Sequence, residues 1–226
     1  MPYQLRNDDI ITAAFLLSFM LTVWAVSRSW SFLEAWWSGF FNEDRKRKKF
    51  TKHLDVQLNG CVPIVVSASL LFGILVTKYV QQFVPEVFQE FTPQLVFACG
   101  AGGIFTLVVL KLLLYLLVNL TFFNSTQARE WTTSYLVTLL FEAILLLPLV
   151  AATVFLDLPT EVQQWWVLFI ISGIEVLRLI KLKVIFFRGA LGYVHIFLYL
   201  CTLNLATSLV AWRLLTQIKL LLDSVK

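Results

Sequence analysis

The chain has 226 residues, 59% of them hydrophobic and only 14% charged, with a net charge of +4 and a mean hydropathy of +0.80. A soluble domain carries about 25% charged residues, so an ordinary water-soluble globule is excluded, and apolar runs of ~20 residues each match a bilayer core of ~30 Å. The runs are continuous, not alternating over ~10 residues, which excludes a transmembrane β-barrel. The basic residues sit at the ends of those runs, where they orient helices instead of binding nucleic acid.

Residues 1–9 form a polar tail with Arg6, Asp8 and Asp9, and the first apolar run covers 10–26. Ala25-Val26-Ser27 resembles a signal-peptide cleavage site. The tail is not net basic, however, and the strong positive charge follows the run, so the expectation is an uncleaved anchor with its short N-terminus outside.

Residues 28–60 are aromatic first and basic second. Trp30, Phe32, Trp36, Trp37, Phe40 and Phe41 precede Arg45, Lys46, Arg47, Lys48, Lys49 and Lys52. Fixed positive charge between two apolar runs is hard to translocate, which puts this segment on the cytoplasmic side. Tryptophans at headgroup depth ahead of a polybasic run predict an amphipathic helix lying in the cytoplasmic interface. Its basic end would meet anionic lipid headgroups or a cytoplasmic partner.

The second span is expected at 61–84, with Pro63 in its first turn, where a missing N–H costs little. An acidic connector leads to the third span at 94–118. This span opens with Gly100, Gly102 and Gly103, read as a close-approach surface for another helix, and carries Lys111 in its later half. A polar stretch, 119–130, precedes the fourth span at 131–156, which holds Glu142 and, beyond it, Pro148. After an acidic hairpin, Trp165 and Trp166 mark the outer interface of the fifth span, 164–187, whose second half carries Glu175, Arg178, Lys181 and Lys183. Gly189 turns the chain into the sixth span, 190–215, with His195 and Asn204 inside it. Cys61, Cys99 and Cys201 lack metal or disulfide spacing and read as small packing residues.

With the basic block inside, residues 119–131 and 181–189 also fall inside, and both carry Arg or Lys. The connectors at 85–93 and 157–163 fall outside and carry acids without Lys or Arg. The predicted architecture is therefore all-α, a polytopic transmembrane helical bundle. It has six transmembrane helices plus a cytoplasmic interfacial amphipathic helix, in one integral membrane domain over 1–226, with both termini periplasmic.

In the last span, His195-Ile196-Phe197-Leu198-Tyr199-Leu200-Cys201-Thr202-Leu203 resembles the closing signature of an uncharacterised family of Bacteroidota inner-membrane proteins, the domain of unknown function 4271. The order of features is similar too: the aromatic and basic segment ending near Phe40-Phe41-Asn42, then Lys111, Tyr135, Phe141 through Leu147-Pro148, and Arg178. The sequence departs from the pattern at Asn204, where an acidic residue is expected, and at Glu142, where Asn is expected. The resemblance implies a multi-pass protein of the cell inner membrane and no established activity.

Ionisable groups within spans are costly and are functional candidates by default. Lys111, Glu142, Glu175, Arg178 and His195, with Asn204, form the candidate intramembrane polar cluster. At 1.5 Å rise per residue the first five fall in the cytoplasmic half or near its centre. Glu175 and Arg178, at i and i+3, can pair on one helix face, and Lys111 is expected to pair with Glu142 of the neighbouring span. Such pairing reads as an ion-pair network that fixes helix register. The competing reading is a site for an anionic solute or a proton path through Glu142 and His195. No nucleophile elbow, phosphate loop, dinucleotide fingerprint or zinc motif is present, so no catalytic, cofactor-binding or metal residue is assigned. The expected function is a non-enzymatic assembly, scaffold or accessory role in the cell envelope, with a membrane-protein partner or a second copy. The alternatives are a small-solute or proton-coupled transporter and an intramembrane lipid-modifying enzyme.

Overall fold

The computed structural model describes residues 8–38, 61–83, 88, 91–122, 125–156 and 158–186. The basic block at Arg45–Lys52 and the expected sixth span, with His195 and Asn204, lie outside these residues. So do the side chains of Trp30, Trp36 and Trp37. Five helices follow one another: α1 (Asp9–Ser38), α2 (Cys61–Phe83), α3 (Pro93–Phe122), α4 (Ser125–Phe155) and α5 (Thr160–Phe186). Each contains a stretch long and apolar enough to cross a membrane: Asp9–Arg28, Val62–Phe83, Pro93–Leu117, Trp131–Phe155 and Glu161–Lys181. The first five expected spans match these stretches closely, apart from the ends of the fifth.

The helix starts follow local chemistry. Asp8 caps α1: its Oδ1 accepts from the Ile10 N–H at 2.9 Å, and its carbonyl accepts from Thr12 N–H at 3.1 Å, satisfying donors that a first turn leaves orphaned. Pro93 occupies the first position of α3, where its fixed φ suits a helix and its missing N–H is not needed.

Three expectations about continuity need correction. The first helix does not stop near residue 26, and the backbone of 28–38 continues it instead of starting a separate helix. The reason lies in the sequence, since no Gly or Pro separates Ala25 from Ser38. Likewise the polar stretch 119–130 is mostly helical, because α3 runs on to Phe122 and α4 begins at Ser125. Pro148 does not break α4, which continues through it to Phe155. It lies on an exposed face, and its ring removes the bond that would reach the Ile144 carbonyl.

The bundle is organised around α2 and α4. Helix α2 packs against α3, α1 and α4; α4 packs also against α5, and more lightly against α1 and α3. In the spanning stretch of α4, 61% of residues are buried, against 11% in α3. The outer helices therefore present Leu, Phe, Met and Trp outward, among them Met20, Leu113 and Phe169. Water would expel such a surface, whereas lipid tails are as apolar as leucine.

Close packing of α2 on α3 depends on glycine, and of the three glycines the sequence suggested only Gly100 takes part. A Cβ at Gly73 would stand 2.7 Å from the Ala101 Cβ and 3.0 Å from its Cα, so the two backbones touch there. A Cβ at Gly100 would meet Val76 at 3.3 Å, while Gly102 and Gly103 have nothing within 4 Å. Glycine spacing alone does not say which side of α3 meets α2, and apolar residues run all round that helix. Cys99 is exposed, so it is not the packing residue expected of it. Between α1 and α2 the lock is polar: Thr22 Oγ1 and Ser67 Oγ lie 2.5 Å apart, and Ser67 Oγ also donates to the Ser18 carbonyl at 3.1 Å. All three residues are buried, where such bonds hold membrane helices together.

Candidate functional site

Helices α3, α4 and α5 bring Lys111, Glu142, Glu175 and Arg178 together. Lys111 stands about 9 Å from the Leu117 end of its span, Glu142 about 16 Å from Trp131, and Glu175 about 9 Å from Lys181, taking 1.5 Å per residue. The three helices alternate in direction, so these depths belong to one half of the bundle. Registers that differ by a few ångströms are bridged by long side chains.

Arg178 is the hub. Its Nη2 donates to Glu142 Oε2 at 2.7 Å, its Nη1 to Glu175 Oε1 at 2.6 Å and its Nε to Thr138 Oγ1 at 3.1 Å. The Thr138 hydroxyl in turn donates to the Tyr135 carbonyl at 2.7 Å. All three guanidinium nitrogens are thus used. A planar fork can satisfy two carboxylates and a hydroxyl at once, which an ammonium cannot match in geometry. The contact of Glu175 with Arg178 on one helix face is the one their spacing suggests.

Lys111 is placed differently from the expectation. Its ammonium lies 3.8 Å from Glu175 Oε1, not against Glu142, which faces Arg178 instead. The reason is register: Glu142 lies deeper than Lys111, and its Oε2 is already taken by Arg178 Nη2. The two cations and two carboxylates balance to zero charge. Side-chain exposure is only 7% for Arg178 and Glu142, 10% for Lys111 and 20% for Glu175. Taking single charges to such depth is prohibitive, while a hydrogen-bonded, neutral set is tolerable. Glu175 is the least enclosed member, and its Oε2 has no hydrogen-bond partner among the described residues.

Tyr135 is the residue that sequence reasoning did not single out for this cluster. Its ring lies 5.0 Å from the Arg178 guanidinium and 5.7 Å from the Lys111 ammonium, so one ring serves both cations. Tyr115 packs edge-on against Tyr135 at 5.4 Å and against Trp131 at 5.6 Å. These three buried rings lie between the charges and the end of the bundle where α3 meets α4. Aromatic residues one turn after a lysine on one helix and two to three turns before a glutamate on the next were the available signal.

The donor set is ill suited to a metal. Both carboxylates are held by a guanidinium whose charge would repel a cation, and among the described residues no group of three His, Cys, Asp or Glu converges. Trp165 and Trp166, expected at the outer interface, are exposed by 72% and 54% on the first turns of α5. They lie about 15 Å from Glu175 along the helix and are not part of the cluster.

A family model described as a domain of unknown function, DUF4271, matches residues 11–215, and the chain belongs to that family. No curated protein and no solved structure matches it.

Proposed function

We propose that this protein is a multi-pass inner-membrane component of the cell envelope with a non-enzymatic role as an assembly, scaffold or accessory protein, its buried charges serving to fix helix register. One observation carries the reading: Arg178 spends every nitrogen inside the bundle, on Glu142, Glu175 and Thr138. A cation committed in this way defines one packing of α4 on α5. Each of its three nitrogens is held by a partner inside the bundle, which turns the guanidinium away from a solute. The six-span topology with cytoplasmic basic block and periplasmic termini belongs to the same proposal. Its support is the alternation of acidic and basic connectors and the apolar run at 190–215.

Transport is the second reading, and the looser end of the cluster favours it. Lys111 makes no hydrogen bond among the described residues, and Glu175 Oε2 is unpartnered. A working site needs such groups facing a wet path. Affinity purification from native membranes separates the two. A stoichiometric membrane-protein partner, retained by Lys111→Met, supports the assembly role. A chain that purifies alone and loses a transmembrane ion or solute flux in proteoliposomes on Lys111→Met refutes it.

A further inference from the structure

A groove of about 890 Å³ runs between α1 and the first turns of α2, remote from the charge cluster. Phe19, Met20, Val23 and Trp24 form one wall, and Val62 and Val66 the other. The first four are exposed by 46% to 71% and Val62 by 68%, so the groove is open along its length and apolar throughout. From Phe19 to Ser27 it extends about 12 Å along α1, the length of a partly extended acyl chain.

One end of the groove differs from the other. Arg28 stands there with its guanidinium 5.9 Å from the Trp24 ring, exposed, and with no carboxylate partner among the described residues. The first turn of α2 meets the same end through Val62 and Pro63. The positive pole of that helix favours negative charge there. Trp24 beside Arg28 is the pairing found at headgroup depth.

We infer that the α1–α2 groove is a binding site for one anionic phospholipid, its acyl chain lying against Phe19, Met20, Val23 and Val66 and its phosphate meeting Arg28 at the Trp24 end. An uncharged or zwitterionic lipid fills the apolar part equally well. The preference for net negative charge comes from Arg28, which lacks a carboxylate partner among the described residues. The site is independent of the buried cluster and of whether that cluster is structural or transporting.

The full chain in nanodiscs of equal parts phosphatidylglycerol and phosphatidylcholine, released into native mass spectrometry, tests this. The wild type retains one lipid, predominantly phosphatidylglycerol. Arg28→Gln lowers the phosphatidylglycerol preference about fivefold, the worth of one surface cation. Val23→Trp fills the groove and abolishes retention of either lipid, with the melting temperature showing that both variants fold. Three results overturn the proposal: an unchanged preference in Arg28→Gln, a preference lost only when Arg45, Lys46, Arg47, Lys48 and Lys49 are all made Gln, or a lipid-free dimer, which would assign the groove to a second copy.

Discussion

Arg178→Gln removes the hub of the buried cluster and leaves Glu142, 7% exposed, with no cation in contact among the described residues, since Lys111 reaches Glu175 instead. Breaking a buried pair from one side costs ~3–5 kcal/mol, because the remaining charge is neither solvated nor paired. For a chain of this size that corresponds to a fall of about 6–20 °C in melting temperature. Glu142→Gln in the same chain should restore much of the loss. The double mutant keeps Lys111 against Glu175 as a neutral pair at 3.8 Å and leaves two amides where the 2.7 Å ion pair stood. Glu175→Gln should rescue Arg178→Gln less well, because Glu142 would remain stranded and Lys111 would lose its only carboxylate. Melting curves in detergent for the three single and two double mutants measure both couplings, with 0.5–3 kcal/mol expected for residues in one network. Strictly additive losses for Glu142→Gln and Arg178→Gln would refute the reasoning that the pair is structural.

Two further changes probe the helix contacts directly. Gly73→Val should cost ~1–3 kcal/mol by overpacking, because its Cβ would fall 2.7 Å from that of Ala101, whereas Gly103→Ala, with nothing within 4 Å, should stay within ~0.5 kcal/mol; equal effects in detergent melting would contradict the close approach. A double-mutant cycle of Thr22→Val and Ser67→Ala should return a coupling of ~0.6 kcal/mol, the average for hydrogen bonds between membrane helices, and a coupling of zero would mean that the 2.5 Å contact does not hold α1 on α2.

The sequence carried the helical framework well because its signal was hydrophobic length. Five of the expected spans need only apolar runs flanked by Pro, acids or bases, and each run reappears as a helix. What let the helices run beyond those apolar stretches was the lack of a Gly or Pro to stop them, as at 28–38 and 119–122, and hydropathy is blind to that. The site was legible as an inventory but not as a set of partners. Glu175 and Arg178 share one helix, so their spacing sufficed. Lys111 and Glu142 lie on neighbouring helices, and adjacency in the chain suggested a pair. Choosing between two carboxylates depends on depth to within one turn, and that follows from how α3 and α4 pack. Glycine had the same ambiguity: Gly73 looks unremarkable inside α2, and only the crossing with Ala101 gives it a function.

The positions of these contacts rank the helices by how firmly each is held. Helices α4 and α5 are joined by a guanidinium making three hydrogen bonds of 2.6 to 3.1 Å. Helix α3 is pinned sterically at Ala101 against Gly73, then runs about 15 Å to Lys111. There it meets α5 through a contact of 3.8 Å and meets α4 through Lys111 over the Tyr135 ring and Tyr115 packed on Tyr135 and Trp131. Charge attraction falls with distance and gains less without a hydrogen bond, so the tie of α3 to α5 is weaker than that of α4 to α5. If α3 moves against the rest of the bundle, it pivots at Gly73 and opens between Lys111 and Glu175. That movement would expose the least enclosed carboxylate of the cluster while leaving the Arg178–Glu142 pair closed, so the same residues that fix the register of α4 on α5 leave α3 the freer partner.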